Sequence, residues 1–155
     1  MFDIDGVLID SSSRLEACLN EAGARKLEEL RGGSRERFWS CFLSERYLYL
    51  DRPRSEYVRL ALDYASRGYA IVIVTGRPEF MKELTFKQLE EIGLFSIMSE
   101  ALFRKNGDRR SDSLVKIEAL KKVVSKYDVV AVYEDSQDVA EEIKRTLPQL
   151  RVVLV

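Results

Sequence analysis

The sequence contains no histidine. A chain without imidazole cannot run a Ser-His-Asp or Cys-His mechanism and cannot build a His-rich zinc site. Any acid/base work therefore falls to carboxylates. Cysteine is nearly as scarce: Cys18 and Cys41 lack metal-ligand spacing and sit in helical patterns, so two buried free thiols are expected rather than a disulfide. Cys41 and Arg46 have four residues between them, one too few for the Cys-x5-Arg loop of cysteine phosphatases. No glycine-rich loop ending in Gly-Lys-Ser/Thr is present, which excludes P-loop kinase chemistry. No apolar run approaches the ~20 residues of a membrane span. No secretory signal is visible, and the expectation is a cytoplasmic protein with no membrane partner.

What is present describes one soluble domain spanning 1–155, with 46% hydrophobic and 33% charged residues. Its 25 basic and 26 acidic residues nearly cancel, so global charge says little about partners. Short apolar runs at 69–74, 97–103, 129–133 and 152–155 read as strands buried on both faces of a parallel sheet. Helical patterns at about 79–92, 113–126 and 137–147 separate them, and this alternation predicts a three-layer, doubly wound α/β fold. No strand is predicted between residues 10 and 68. Helices are expected there over about 13–31, ending at Gly32-Gly33, over 35–50, and over 54–67. The last reads as a crossover helix, and about 13–50 as a small helical cap inserted after the first strand. Its aromatics, Trp39 among them, are expected to form the core of a helical hairpin rather than to stack on substrate.

Met1-Phe2-Asp3-Ile4-Asp5-Gly6 puts two carboxylates on one side of an extended segment before a glycine lets the chain turn away. Asp-x-Asp alone is common, but three further groups fall in matching places. Ile71–Val74 runs into Thr75-Gly76-Arg77, which can offer a hydroxyl and backbone N–H groups to a phosphate. Val130–Tyr133 runs into Glu134-Asp135, two acids suited to an oxygen-only Mg²⁺ site. Lys116 lies early in a helix, where a cation gains nothing from the helix dipole. All four fall near carboxyl ends of parallel strands, where α/β sheets place their sites. Only Met1 and Phe2 precede Asp3, fewer residues than a central strand normally has. Either the start lies upstream, or the leading strand is stunted and the site loosened.

In this order the groups resemble the four motifs of the haloacid-dehalogenase (HAD) superfamily. The stretch from Arg104 to Lys116, with Arg14 and Arg77, is similar to the 3′-phosphatase domain of phage-type polynucleotide kinases. The similarity covers most of the chain outside about 15–50. It implies Asp3 as the nucleophile of a Mg²⁺-dependent phosphomonoesterase, Asp5 as acid and then base, Lys116 with Mg²⁺ as the charges neutralising phosphate and nucleophile, and Thr75 and the Gly76 N–H as donors to the transferring phosphoryl oxygens. It implies Mg²⁺ held by Asp3, the Asp5 carbonyl, Asp135 and, directly or through water, Glu134. Arg14, Arg77, Arg104 and Arg110 would bind substrate phosphates, as arginine's planar fork suits. The implied substrate is a DNA or RNA 3′ end. A nucleotide or sugar phosphate, and a non-catalytic phosphate-binding domain, stand as alternatives. Glu134 occupies a place where aspartate is usual, and the helical insertion is longer than in the phosphatase domain. Oligomeric state is not legible.

Overall fold

The computed structural model of the protein describes residues 1–155. Its first three residues lie inside a sheet. Phe2 forms parallel bridges to Ile73 on one side and to Tyr133 on the other. Beyond the turn that follows Asp3, β1 (Ile9–Asp10), α1 (Ser12–Ala22), α2 (Gly32–Phe42) and β2 (Arg52–Pro53) form an insertion, and β1 and β2 pair antiparallel to close its two ends. Helix α3 (Ser55–Ser66) returns the chain to β3 (Ile71–Pro78), followed by α4 (Lys82–Glu91), β4 (Met98–Arg104), α5 (Asp112–Val124), β5 (Val132–Glu134), α6 (Gln137–Thr146) and β6 (Val152–Leu154). Parallel pairing of β3 with β4 and of β5 with β6, joined through Phe2, gives the order β4-β3-(Met1–Asp3)-β5-β6.

Strand β3 explains the three layers. β-branched side chains fill Ile71–Val74, and a strand points alternate residues to opposite faces. Ile71 and Ile73 pack with Phe2, Val58, Ala61 and Leu89 against α3 and α4, whereas Val72 and Val74 pack with Ile117, Leu120, Val123, Val139 and Ile143 against α5 and α6. The doubly wound sheet expected from the apolar runs is the observed fold. The short leading segment is firmly held: Phe2 N–H donates to the Val72 carbonyl at 2.9 Å, and its own carbonyl accepts from Val74 at 3.1 Å. On its other side Tyr133 N–H donates to the Met1 carbonyl at 3.0 Å and Asp3 N–H to the Tyr133 carbonyl at 3.1 Å. No helix is long and apolar enough to cross a membrane.

The insertion departs from expectation in three ways. Its first helix stops at Ala22 rather than near 31, because Gly23 adopts φ 74° and turns its N–H to the Asn20 carbonyl while the Ala24 N–H returns to that of Leu19, a left-handed C-terminal cap. Gly32 and Gly33 then open α2 instead of closing α1. The β1–β2 ribbon was not expected at all, since two residues per strand leave no period to read. Cys18 and Cys41, read as free thiols, are joined by a disulfide between α1 and α2. They lie 23 residues apart, and only the packing of the two helices brings their Cα atoms to 5.6 Å. Around them Leu19, Ala22, Leu30, Phe38 and Phe42 form a core separate from that of the sheet. Trp39 sits at its rim, 40% exposed, with its ring edge-on to Phe38 and Phe42.

Candidate active site

The carboxyl ends of the central strands bring Asp3, Thr75 and Glu134 to one place, and Lys116 reaches them from the first turns of α5. Its ammonium donates to Asp3 Oδ2 at 2.7 Å, to Glu134 Oε2 and Oε1 at 2.8 and 3.0 Å, and lies 3.0 Å from Asp112 Oδ2. A lysine so buried would normally lose its proton, but the three carboxylates reverse this and hold its pKa well above the usual lysine range. Asp3 is different. Burial, opposed by Lys116 and reinforced by Glu134 and Asp112, pushes its carboxyl up to about 8. Its second oxygen, Oδ1, is buried with no hydrogen-bond partner at all, an arrangement that costs free energy unless something fills it. Oxygens of Asp3, Glu134 and the exposed Asp135 all lie within 4.8 Å of one another, a spacing that can hold a hard cation.

Asp5 is placed by two arginines. The Arg77 guanidinium grips it in bidentate fashion, Nε to Oδ2 at 2.9 Å and Nη2 to Oδ1 at 2.7 Å, and Arg14 Nη2 donates to the same Oδ1. Burial, the largest single influence on Asp5, would raise its pKa, but the two guanidiniums outweigh it and hold the carboxyl below the usual range. Both arginines are fully buried, and their remaining donors go to protein: Arg14 to Asp51 and the Phe42 carbonyl, Arg77 to Asp51, Thr85 and Gln88. Arg104 is likewise turned inward, donating to the Gly76, Asp108 and Arg110 carbonyls and to Asp112. Of the four arginines expected to meet substrate, three are instead tied into the protein, because a buried guanidinium must satisfy its five donors locally. Arg110 alone lies at the surface, paired with Asp108 and Glu118.

Thr75 is buried, and its Oγ accepts the Arg77 N–H at 3.1 Å, which leaves the hydroxyl hydrogen free to donate elsewhere. Two glycines allow close approach. A Cβ on Gly76 would come within 2.3 Å of Asp112 Oδ1, and one on Gly6, which also has φ 80°, within 2.0 Å of Asp135 Oδ2. Gly6→Ala is therefore expected to displace Asp135 and lower turnover by about 10²-fold, the scale of an ångström-size misplacement at a reacting centre. Steady-state rates at saturating Mg²⁺ check this; a rate within twofold of wild type would mean that Asp135 is not needed where it stands.

Two site residues were missed by sequence reasoning. Asp112 had a legible signal, since it lies one helical turn before Lys116 and in the first turn of α5, where the dipole favours an acid. Asp51 had none: it stands alone before Arg52-Pro53, and only the fold carries it to Arg14 and Arg77. With them, six carboxylic groups (Asp3, Asp5, Asp51, Asp112, Glu134, Asp135) face four basic ones (Arg14, Arg77, Arg104, Lys116), two more acids than bases.

A doubly wound sheet bearing an Asp-x-Asp pair at the end of its central segment, a buried lysine from a later helix and a pair of acids on the neighbouring strand defines the HAD-like class of phosphohydrolases. Within that class, the family of the polynucleotide kinase PNKP phosphatase domain matches residues 40–154, and the chain belongs to it. Members of this family are hydrolases of phosphoric monoesters. Solved structures agree on the fold. A chain in a Pnkp1/Rnl/Hen1 complex superposes with TM-score 0.68 at 19% identity, covering 99% of this chain and 44% of that one. The protein tyrosine kinase PtkA of Mycobacterium tuberculosis gives 0.71 at 16% identity, covering 99% and 81%. The HAD-like hydrolase SP0104 of Streptococcus pneumoniae gives 0.69 at 13%, again covering 99% and 81%. The present chain thus spans less than half of the Pnkp1 complex chain it resembles. No curated protein matches it in sequence.

Proposed function

We propose that the chain is a Mg²⁺-dependent polynucleotide 3′-phosphatase that works through an aspartyl-phosphate on Asp3, with α1 and α2 as a cap over the site. The observation that carries this reading is Asp3 itself: one oxygen is fixed by Lys116, the other is buried and unpartnered, and Glu134 and Asp135 stand beside it. The unpaired oxygen, the three convergent carboxyl groups and the surplus of acids over bases suit a divalent cation with oxygen ligands. Asp3, Asp135 and the Asp5 carbonyl would hold Mg²⁺, with Glu134 behind them, engaged by Lys116. The bound cation would neutralise charge on the phosphate and on Asp3.

In the first half-reaction Asp3 attacks phosphorus while Lys116 stabilises the developing negative charge and the free Thr75 hydroxyl donates to a phosphoryl oxygen. The leaving alkoxide needs a proton. Asp5 is held ionised by its two arginines, so it relays a proton that the substrate brings as a phosphate monoanion, whose second pKa lies near ~6. In the second half-reaction the same carboxylate takes the proton of the water that hydrolyses the aspartyl-phosphate. Arg14 and Arg77 act here by holding Asp5, and Arg110, exposed but paired with Asp108 and Glu118, is the one of the four arginines that could exchange its partners for substrate phosphates beyond the scissile one.

Two outcomes are expected from this reading. A 3′-phosphorylated oligonucleotide should exceed the corresponding 3′-mononucleotide in kcat/KM by about tenfold, the worth of one added polar contact; equal values would favour a small-molecule substrate. Because a proton on Asp3 competes with the metal, apparent Mg²⁺ affinity should strengthen by up to about tenfold per pH unit from pH 6 toward 8. Metal titrations across that range check it, and a flat profile would mean that Asp3 does not bind the ion.

A further inference from the structure

Behind Asp5 lies a carboxylate that no catalytic motif includes. Asp51 precedes β2 at the end of the helical insertion, and its side chain is 1% exposed. One oxygen accepts Arg14 Nε at 2.9 Å; the other accepts Arg77 Nη2 at 3.0 Å and Gln88 Nε2 at 3.2 Å. Both of these arginines also hold Asp5. The four side chains close a ring of alternating charge, Asp5–Arg14–Asp51–Arg77, in which each guanidinium spans both carboxylates. We infer that Asp51 is a positioning residue for phosphoryl transfer, which fixes the two guanidiniums that aim the Asp5 carboxylate at the leaving oxygen. The inference rests on the reading of Asp5 as the proton-transfer group.

The physical reason is geometric and electrostatic together. A guanidinium is a rigid planar fork, so its angle about Asp5 is set by whatever its other nitrogens bind. For Arg14 those partners are Asp51 and the Phe42 carbonyl, and for Arg77 they are Asp51, Thr85 and Gln88. Asp51 is the one acceptor common to both. It is also the one partner besides Asp5 that carries charge. Two buried arginines facing Asp5 alone would leave a net positive charge, and both would collapse onto its oxygens. With Asp51 present the ring is neutral, each arginine is pulled from both sides, and Asp5 keeps a defined orientation. Gln88 anchors Asp51 in turn, since its Nε2 also donates to the Leu48 carbonyl at 3.0 Å. Ring and insertion are thereby locked to α4.

A merely structural ion network and a positioning network make different predictions for substrates whose leaving groups need a proton and those whose leaving groups do not. An alkoxide leaving from a 3′-phosphorylated oligonucleotide needs Asp5, whereas 4-nitrophenolate leaves largely unaided. The measurement is the ratio of kcat/KM for these two substrates with Mg²⁺, which reports only steps up to departure of the leaving group. Asp51→Asn keeps the shape and removes the charge. It should lower the oligonucleotide value by about 30-fold and the aryl value by only about threefold. In an Asp5→Asn background the added Asp51→Asn change should move the ratio no further. Equal losses for both substrates, or a change of ratio that persists without the Asp5 carboxylate, would overturn the inference. If Asp5→Asn alone leaves the ratio at the wild-type value, the reading of Asp5 is what fails, and the inference falls with it. Should Asp51→Asn not fold, Gln88→Leu tests the same ring without stranding a charge. It should shift the ratio in the same direction by about threefold, and an unchanged ratio would overturn the inference.

Discussion

Replacing Asp3 by Asn should lower Mg²⁺-supported phosphate release by roughly 10⁴-fold or more, the scale on which loss of a nucleophile is felt, while leaving the protein folded. An amide of the same shape cannot attack phosphorus, and the neighbouring carboxylates have other roles in the proposed reading, Asp135 as a ligand of the cation. Glu134 is engaged through both oxygens by the lysine, and Asp5 by arginine. Stability should move the opposite way. Burial raises the Asp3 pKa to about 8 from its ordinary 3.8. Such an acid keeps its proton in the fold while the unfolded chain loses it, so its contribution to stability falls as pH rises from about 4 to about 8. Asparagine escapes that penalty. The metal-free variant should therefore melt at a higher temperature than wild type at pH 7, an exchange of stability for function. A variant turning over at the wild-type rate would remove Asp3 as nucleophile, and a lower melting temperature would mean that the site is better compensated than described.

Lys116→Met should be the most damaging single change to the fold, and it should cost most of the activity as well. The ammonium stands among Asp3, Glu134 and Asp112, with contacts of 2.7 to 3.0 Å. Methionine matches the length of the stem but abandons buried carboxylates to one another. Stripping one partner from a buried ionic group costs about 3–5 kcal/mol, to be read from denaturant unfolding at pH 7 without metal. Turnover should fall by about 10³-fold even with Mg²⁺, since a preorganised cation at the transferring phosphoryl is lost. Lys116→Arg should not rescue it, because a planar fork cannot occupy the tetrahedral point among three acids. A destabilisation under 1 kcal/mol would contradict the buried contacts from which the expectation is drawn.

How much of this was legible depended on how local each signal was. Strand β3 announced itself as four consecutive β-branched residues, and the helices that cover the sheet had stripes and closing glycines. Asp3, Thr75, Lys116, Glu134 and Asp135 were legible as candidates because each falls at a recognisable strand end or helix start. The disulfide and the β1–β2 ribbon were out of reach, since both depend on the insertion folding back on itself across tens of residues. The arginines taught the most. Their positions were read from sequence, but whether a guanidinium faces substrate or protein depends on acceptors scattered along the chain. Arg14 meets Asp51 and Phe42, Arg77 meets Thr85 and Gln88, and Arg104 meets Gly76 and Asp112. No spacing rule joins such partners. Fixed in this way, they orient Asp5 and the loop after β4, and a catalytic group needs that support as much as it needs the right residue type.

The central claim is that phosphate passes through a covalent bond to Asp3. It is tested most directly by mixing the protein and Mg²⁺ with a substrate bearing a radiolabelled phosphate, quenching in acid within one turnover and mapping the label. The account predicts protein-bound label that hydroxylamine releases, confined to the peptide containing Asp3 and absent from Asp3→Asn. Rapid phosphate release with no label on the chain, or label on any other residue, would contradict it.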